Sequence, residues 1–116
     1  VLDNFMREFN KRDLPGVAKT LNYPHVRFAS GTVKVFSAPD EFFDRTIYKS
    51  LIASGWDHSH WLTREVVLAS SKKIHIATTF GRFDKDNQAI GTYQSLYVVT
   101  MVDGRWGIQA RSSLAP

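Results

Sequence analysis

The stretch LYVVTMVDGRWGIQARSS, residues 96–113, decides the fold. Apolar and β-branched residues run up to Asp103-Gly104 and resume directly after it. Asp-Gly is a strong two-residue hairpin signal, because the turn that matches strand twist needs positive φ at both positions. A turn there sets Met101 opposite Trp106, Val99 opposite Ile108 and Tyr97 opposite Ala110. Working back along the chain, runs near residues 58–70, 73–84 and 89–102 lead into the last strand, 105–113. Their joints, Ser-Ser-Lys-Lys and Asp-Lys-Asp-Asn-Gln, carry turn chemistry. Consecutive hairpins predict an antiparallel meander.

The first half reads differently. Leu2, Phe5, Met6 and Phe9 fall at i, i+3, i+4 and i+7, one face of an amphipathic helix ending near Arg12. Asp13 caps a second short helix with Pro15 in its first turn and Leu14, Val17, Ala18 and Leu21 on one side. YPHVRFASGTVKVF then places two β-rich runs around Ser30-Gly31, a tight hairpin in which Val26 faces Val35, Phe28 faces Val33 and Arg27 faces Lys34. Like charges placed opposite repel, so the Arg27–Lys34 face is expected to be wet. Ser37-Ala-Pro-Asp40 is a capping signature for a third helix carrying Phe43, Ile47 and Leu51, which Gly55 stops. Helices first and a long sheet last predict an α+β architecture, with the helices covering one face of a curled sheet.

Composition bounds the function classes. A chain of 116 residues suits one domain spanning 1–116. Cysteine is absent, which removes disulfides, thiol nucleophiles and thiolate metal sites, and suits a reducing, cytoplasmic location. No apolar run reaches the roughly 18 residues of a membrane span, and no basic start leads into a secretion segment. The 15 Lys+Arg against 11 Asp+Glu leave +4. Only Lys11-Arg12 and Lys72-Lys73 are adjacent, so no nucleic-acid stripe emerges. There is no Gly-rich phosphate loop, no Gly-x-Ser-x-Gly elbow and no His-Glu-x-x-His, so no cofactor is expected.

The period of two sorts the meander into faces, provided no bulge or odd-length turn flips a strand. With Asp86-Asn87 as the middle turn, Trp61, Val67, Ile74, Ile76, Phe80, Tyr93, Tyr97, Val99, Met101, Trp106 and Ile108 share the core face. Glu65, opposite Thr78, falls among them. His58, His60, Arg64, Gln94, Gln109 and Arg111 share the other face with Leu62, Val66 and Leu68. That mixture suits contact between two copies of the chain, so a homodimer through the outer face is expected.

A helical pair, a short hairpin, a capped helix and a meander closing in DGRWGIQARSS resemble the nuclear-transport-factor-2-like superfamily, which includes ketosteroid isomerase and the SnoaL-like cyclases. YPHVRFASG and LYVVT are similar to an uncharacterised subgroup. The resemblance spans essentially all 116 residues. It implies a cystatin-like cone: a curved antiparallel sheet wrapped around three helices and a ligand-binding cavity, often dimeric. It also implies cofactor-free acid-base enzymes of isomerase, cyclase or dehydratase type, or non-catalytic association and carrier domains; fold alone does not choose. Ketosteroid isomerase uses an aspartate base and an oxyanion hole of a protonated aspartate and a tyrosine. The corresponding elements here hold Ala29 or Ser30 and Val98 or Val99, and none is an acid, so that mechanism is disfavoured.

Candidate site residues follow from the face sorting. Glu65 among aromatic rings would have a raised pKa and serve as a general acid or base; the alternative is a surface pair with Arg82. Trp61, Tyr93, Tyr97 and Trp106 offer apolar surface with polar tips for a small apolar molecule, or simply pack the core. His25 and Arg27 stand on the short hairpin, where the resemblance implies a pocket-mouth residue, and suit an acidic ligand, the alternative being a solvated edge strand. In WDHSHW, residues 56–61, His58 and His60 are half of a metal site at most. His75 sits too far along the ladder to complete it, so no metal is expected.

Overall fold

The computed structural model of the protein describes residues 1–29, 31–42 and 46–116. Helix α1 (Leu2–Asn10) buries Leu2 and Phe5, two of the residues whose spacing predicted it. It ends where Arg12 takes φ 59°, a left-handed conformation that no helix can continue. Helix α2 (Leu14–Lys19) follows with Asp13 as its cap, the carboxylate accepting from Gly16 N at 3.1 Å. Strands β1 (Leu21–Ala29) and β2 (Thr32–Phe36) form the first hairpin, in the register expected: Val26 with Val35, Arg27 with Lys34, Phe28 with Val33.

The third helix is shorter than its capping signature suggested. A 3-10 turn (Pro39–Phe42) comes first, with Ser37 N donating to the Glu41 carboxylate at 3.1 Å. Helix α3 (Thr46–Ala53) then ends at Gly55, whose φ of +95° favours glycine. Ser30 and Phe43, expected at the hairpin turn and on this helix, lie outside the described residues.

The meander is built of β3 (His58–Ala69), β4 (Lys73–Phe83), β5 (Ala89–Val102) and β6 (Arg105–Ser113). At its last turn Asp103 and Gly104 have φ of 52° and 77°, the positive pair that the hairpin requires. Six strands among the described residues run in the order β2-β1-β6-β5-β4-β3. All neighbours are antiparallel except β1 and β6, which pair in parallel where the first hairpin joins the meander. The helices cover the concave side, and Leu2, Phe5, Leu14, Val17, Tyr48, Leu51 and Trp56 pack there on Tyr97, Val99 and Ile108. Asn10 ties α1 to β3 through both ends of one backbone residue, donating to Ser59 O and accepting from Ser59 N, each at 2.9 Å.

Three bulges govern which side chains face inward. The β4–β5 register is regular from Lys73–Thr100 to Arg82–Gly91, as a turn at Asp86-Asn87 requires. Between β3 and β4 the pairing slips twice, at Leu62 and at Val67. Between β5 and β6 it slips once, at Gln109. Each slip bends the sheet around the helices and exchanges the faces of the residues beyond it. Hence Tyr97 meets Arg111 rather than Ala110, and Glu65 meets Ala77 rather than Thr78.

Candidate functional site

Between the helices and the concave sheet lies a cavity of about 700 Å³. Its helix side is apolar, with Phe5, Phe9, Phe42, Ile47 and Leu51. Its sheet side carries charge: Lys34, Arg27 and Arg111 stand on β2, β1 and β6, and Tyr97 on β5. These four form one cross-strand row, since Lys34 pairs with Arg27, Arg27 with Arg111, and Arg111 with Tyr97. Arg82 adds a fourth cation from β4. Adjacent to the row run smaller polar residues, with Thr32 beside Ala29, Ser113 beside Ser95 and Thr78 beyond.

Each charged group is held differently. Arg111 donates Nε to the Tyr97 hydroxyl at 3.0 Å and Nη2 to Ser113 Oγ at 3.2 Å. Ser113 Oγ also receives Ser95 Oγ at 2.8 Å, so the guanidinium is braced from below. Arg82 lies 4.8 Å from the centre of the Tyr93 ring, a cation-π contact. Arg27 lies 5.5 Å from the Phe42 ring centre, and among the described residues no protein acceptor takes its N–H groups. Burial and the like charge of Arg111 pull its pKa down to about 9. No carboxylate among the described residues forms an ion pair with Arg27, Arg82, Arg111 or Lys34. Glu41 is the one acid among the described lining residues; it is exposed and engaged with Ser37 N.

The expected wet face of the first hairpin is therefore the cavity wall. Val33 and Val35 point away from it and are 62% and 57% exposed. The opposition of Arg27 and Lys34 is real, but it faces a partly enclosed space.

The residues singled out in the sequence divide as follows. Arg27 and Tyr97 line the cavity. His25, on the same face, is buried behind it, with Nδ1 placed 2.9 Å from Ile108 O and the ring against Phe36 and Phe42. Burial lowers its pKa to about 4, against the pull of the Ile108 carbonyl and with help from Arg27 and Arg111. Trp61 faces inward as expected but belongs to the core, donating Nε1 to Leu2 O at 3.2 Å and meeting Tyr97 edge-on. Tyr93 supports Arg82 and meets Phe80 at a tilt rather than lining the wall. Trp106 borders a separate recess of about 370 Å³ beside Leu2 and Arg64.

Glu65 is a correction. It is exposed, pairs across the ladder with Ala77, and is absent from both recesses, because the slips at Val67 and Leu62 on either side of it exchange its face. Arg64 turns inward in its place and binds Asp3 at 2.7 Å, so it leaves the expected outer set. Arg111 leaves that set through the bulge at Gln109. Gln109 itself accepts from Thr100 Oγ1 at 2.9 Å and donates to Pro24 O. His58, His60 and Gln94 keep the outer face. His58 is held by Asp57 at 2.8 Å and Asn87 at 3.1 Å, and its ring stacks on Phe83.

Comparison with known proteins agrees with this geometry. Residues 1–115 match the family described as NTF2-like protein (DUF6841), and the chain belongs to that family. No curated protein matches it in sequence. Among solved structures it is similar to an NTF-2 like protein of unknown function from Shewanella oneidensis MR-1. That pair is 17% identical with a TM-score of 0.72, covering 97% of this chain and 91% of the other. A protein of unknown function with a cystatin-like fold from Nostoc punctiforme is 10% identical at a TM-score of 0.76, covering 97% and 83%. A ketosteroid isomerase-like protein from Erwinia carotovora atroseptica is 22% identical at 0.68, covering 99% and 92%. At these identities the likeness is one of fold.

Proposed function

We propose that the protein binds a small organic molecule with a largely apolar body in the cavity between its helices and its sheet. The observation that carries this is the cavity itself. Its volume of about 700 Å³ lies within the range of roughly 300–1,000 Å³ typical of small-molecule sites. Aromatic rings of α1 and Phe42 offer a flat ligand one wall, and a few polar groups on the sheet fix its orientation.

Binding is better supported than acid-base turnover. A general acid or base must reach its proton at hydrogen-bond distance. Glu65 is turned away, and Glu41 stands exposed at the wall with its carboxylate already accepting a backbone hydrogen bond. A carrier or ligand-sensing role follows, with isomerase, cyclase or dehydratase chemistry as the second reading, favoured only by the Tyr97 hydroxyl held on Arg111. Thermal-shift screening of ring compounds tests the binding. Wild type is expected to gain several degrees with some of them, and Ile47→Trp, which intrudes on the apolar wall of the cavity, to gain less. Equal shifts in both proteins would place the ligand elsewhere.

We further infer that two copies associate through the outer sheet face. Leu62, beside His60, and Leu68, beside His75, are 50% and 62% exposed there. Sedimentation at micromolar concentration tests this, and a monomer would remove it.

A further inference from the structure

We infer that the cavity's ligand is an organic carboxylate, seated with its carboxylate on the Arg27–Arg111 row and its apolar body against Phe5, Phe9 and Phe42. The inference rests on the cavity being a binding site and adds the chemical class of what it binds.

The argument begins with charge. The chain's formal charge is +4, and the cavity lining alone holds Lys34, Arg27, Arg82 and Arg111 against Glu41. Three of those cations stand side by side on three adjacent strands, where like charges in direct opposition destabilise a sheet. Folding gains nothing evident from that arrangement. The described residues supply no carboxylate to offset it, although the surface forms ion pairs elsewhere, Arg64 with Asp3 among them. A row of unneutralised cations on the wall of a half-enclosed space is what an anion would complete.

Geometry narrows the anion. Arg111 has Nε on Tyr97 and Nη2 on Ser113, so its orientation is fixed before any ligand arrives. Arg27, next to it, lines the cavity, and no acceptor among the described residues takes its guanidinium donors. Two guanidinium groups in one row match the two oxygens of a carboxylate, each oxygen accepting charge-assisted hydrogen bonds. The opposite wall is apolar and aromatic, so the rest of the ligand is hydrocarbon. Arginine pairs also hold phosphoryl groups, and the probes below separate the two heads.

The probes are naphthoate, naphthamide and naphthyl phosphate, which share one body and differ in the head. Isothermal titration is done with wild type, Arg27→Met and Arg111→Lys. Naphthoate is expected to bind wild type at least tenfold more tightly than naphthamide. Arg27→Met removes that preference, lowering naphthoate affinity far more than naphthamide affinity. Arg111→Lys, which keeps the charge but not the fork, reduces the preference. Equal affinity of acid and amide for wild type would overturn the carboxylate inference while leaving the cavity a binding site. Tighter binding of the phosphate than of naphthoate would also overturn it. Failure of all three probes to bind would overturn both readings. Circular dichroism of each variant confirms that losses are not losses of fold.

Discussion

His25 makes the protein's stability depend on acid in a way that can be calculated. Its ring is 2% exposed, Nδ1 faces the Ile108 carbonyl at 2.9 Å, and Phe36 and Phe42 close over it. A carbonyl can only accept, so Nδ1 carries the proton of the neutral ring. Burial first, then Arg27 and Arg111, oppose a second proton, and the pKa falls from 6.5 to about 4. Between those values the unfolded chain takes up a proton that the folded chain refuses, so stability falls as pH drops from 6.5 toward 4. Each pKa unit corresponds to about 1.4 kcal/mol, which makes the full loss about 3 kcal/mol and the loss at pH 4.5 about 2.5 kcal/mol. In urea denaturation followed by tryptophan fluorescence, that lowers the midpoint by roughly 1–2 M between pH 7.5 and pH 4.5. His25→Asn keeps a donor near the position of Nδ1 and removes the titrating ring. It is expected to be less stable at neutral pH by about 1–2 kcal/mol for the lost packing, with a flatter acid slope. An unchanged slope in the variant would refute the reasoning.

Other expectations follow from single contacts. A Cβ on Gly107 would stand 2.6 Å from Asn22 Oδ1, and Asn22 cannot yield without losing its bonds to Thr100. Gly107→Ala should therefore cost about 1–3 kcal/mol in thermal or chemical denaturation. Asn10→Ala removes both hydrogen bonds that hold Ser59, and a loss of about 1–3 kcal/mol is expected by the same measurement. Arg27→Met relieves a guanidinium whose pKa is depressed, a penalty present in full below about pH 9 and fading at higher pH. At pH 8 the variant should be more stable by on the order of 1 kcal/mol, even as it loses the carboxylate preference. Glu65→Gln should leave the affinity for naphthoate unchanged in titration, since the side chain points out of the cavity.

Much of this architecture was legible in the sequence because its signals are local. The spacing of Leu2, Phe5, Met6 and Phe9 makes a helix whatever surrounds it, and Asp103-Gly104 makes a hairpin for steric reasons alone. The register around both tight turns followed from counting. The cavity was less legible, since the count carries no mark of a bulge. The alternation of Trp106 and Ile108 places Ala110 inside, and only the slip at Gln109 brings Arg111 there instead. Slips at Val67 and Leu62, on either side of them, moved Glu65 out and Arg64 in. The hairpin misled for another reason: opposed Arg27 and Lys34 read as a wet surface because a two-stranded view cannot show that helices roof that side. Arg82 alternates inward with Thr78 and Phe80 as counting predicts, and only the curled sheet shows the cavity it faces.

The bulge at Gln109 has a consequence for relatives of this chain. A protein with the same residues in β6 but no extra residue accommodated there would show Ala110 and Ser112 to the ligand in place of Arg111 and Ser113. Two members of the family could then agree letter for letter along this strand and hold cavities of unlike electrostatic character. The preference for an acid or a neutral ligand would change hands through a shift in pairing, with no substitution at any ligand-contacting position.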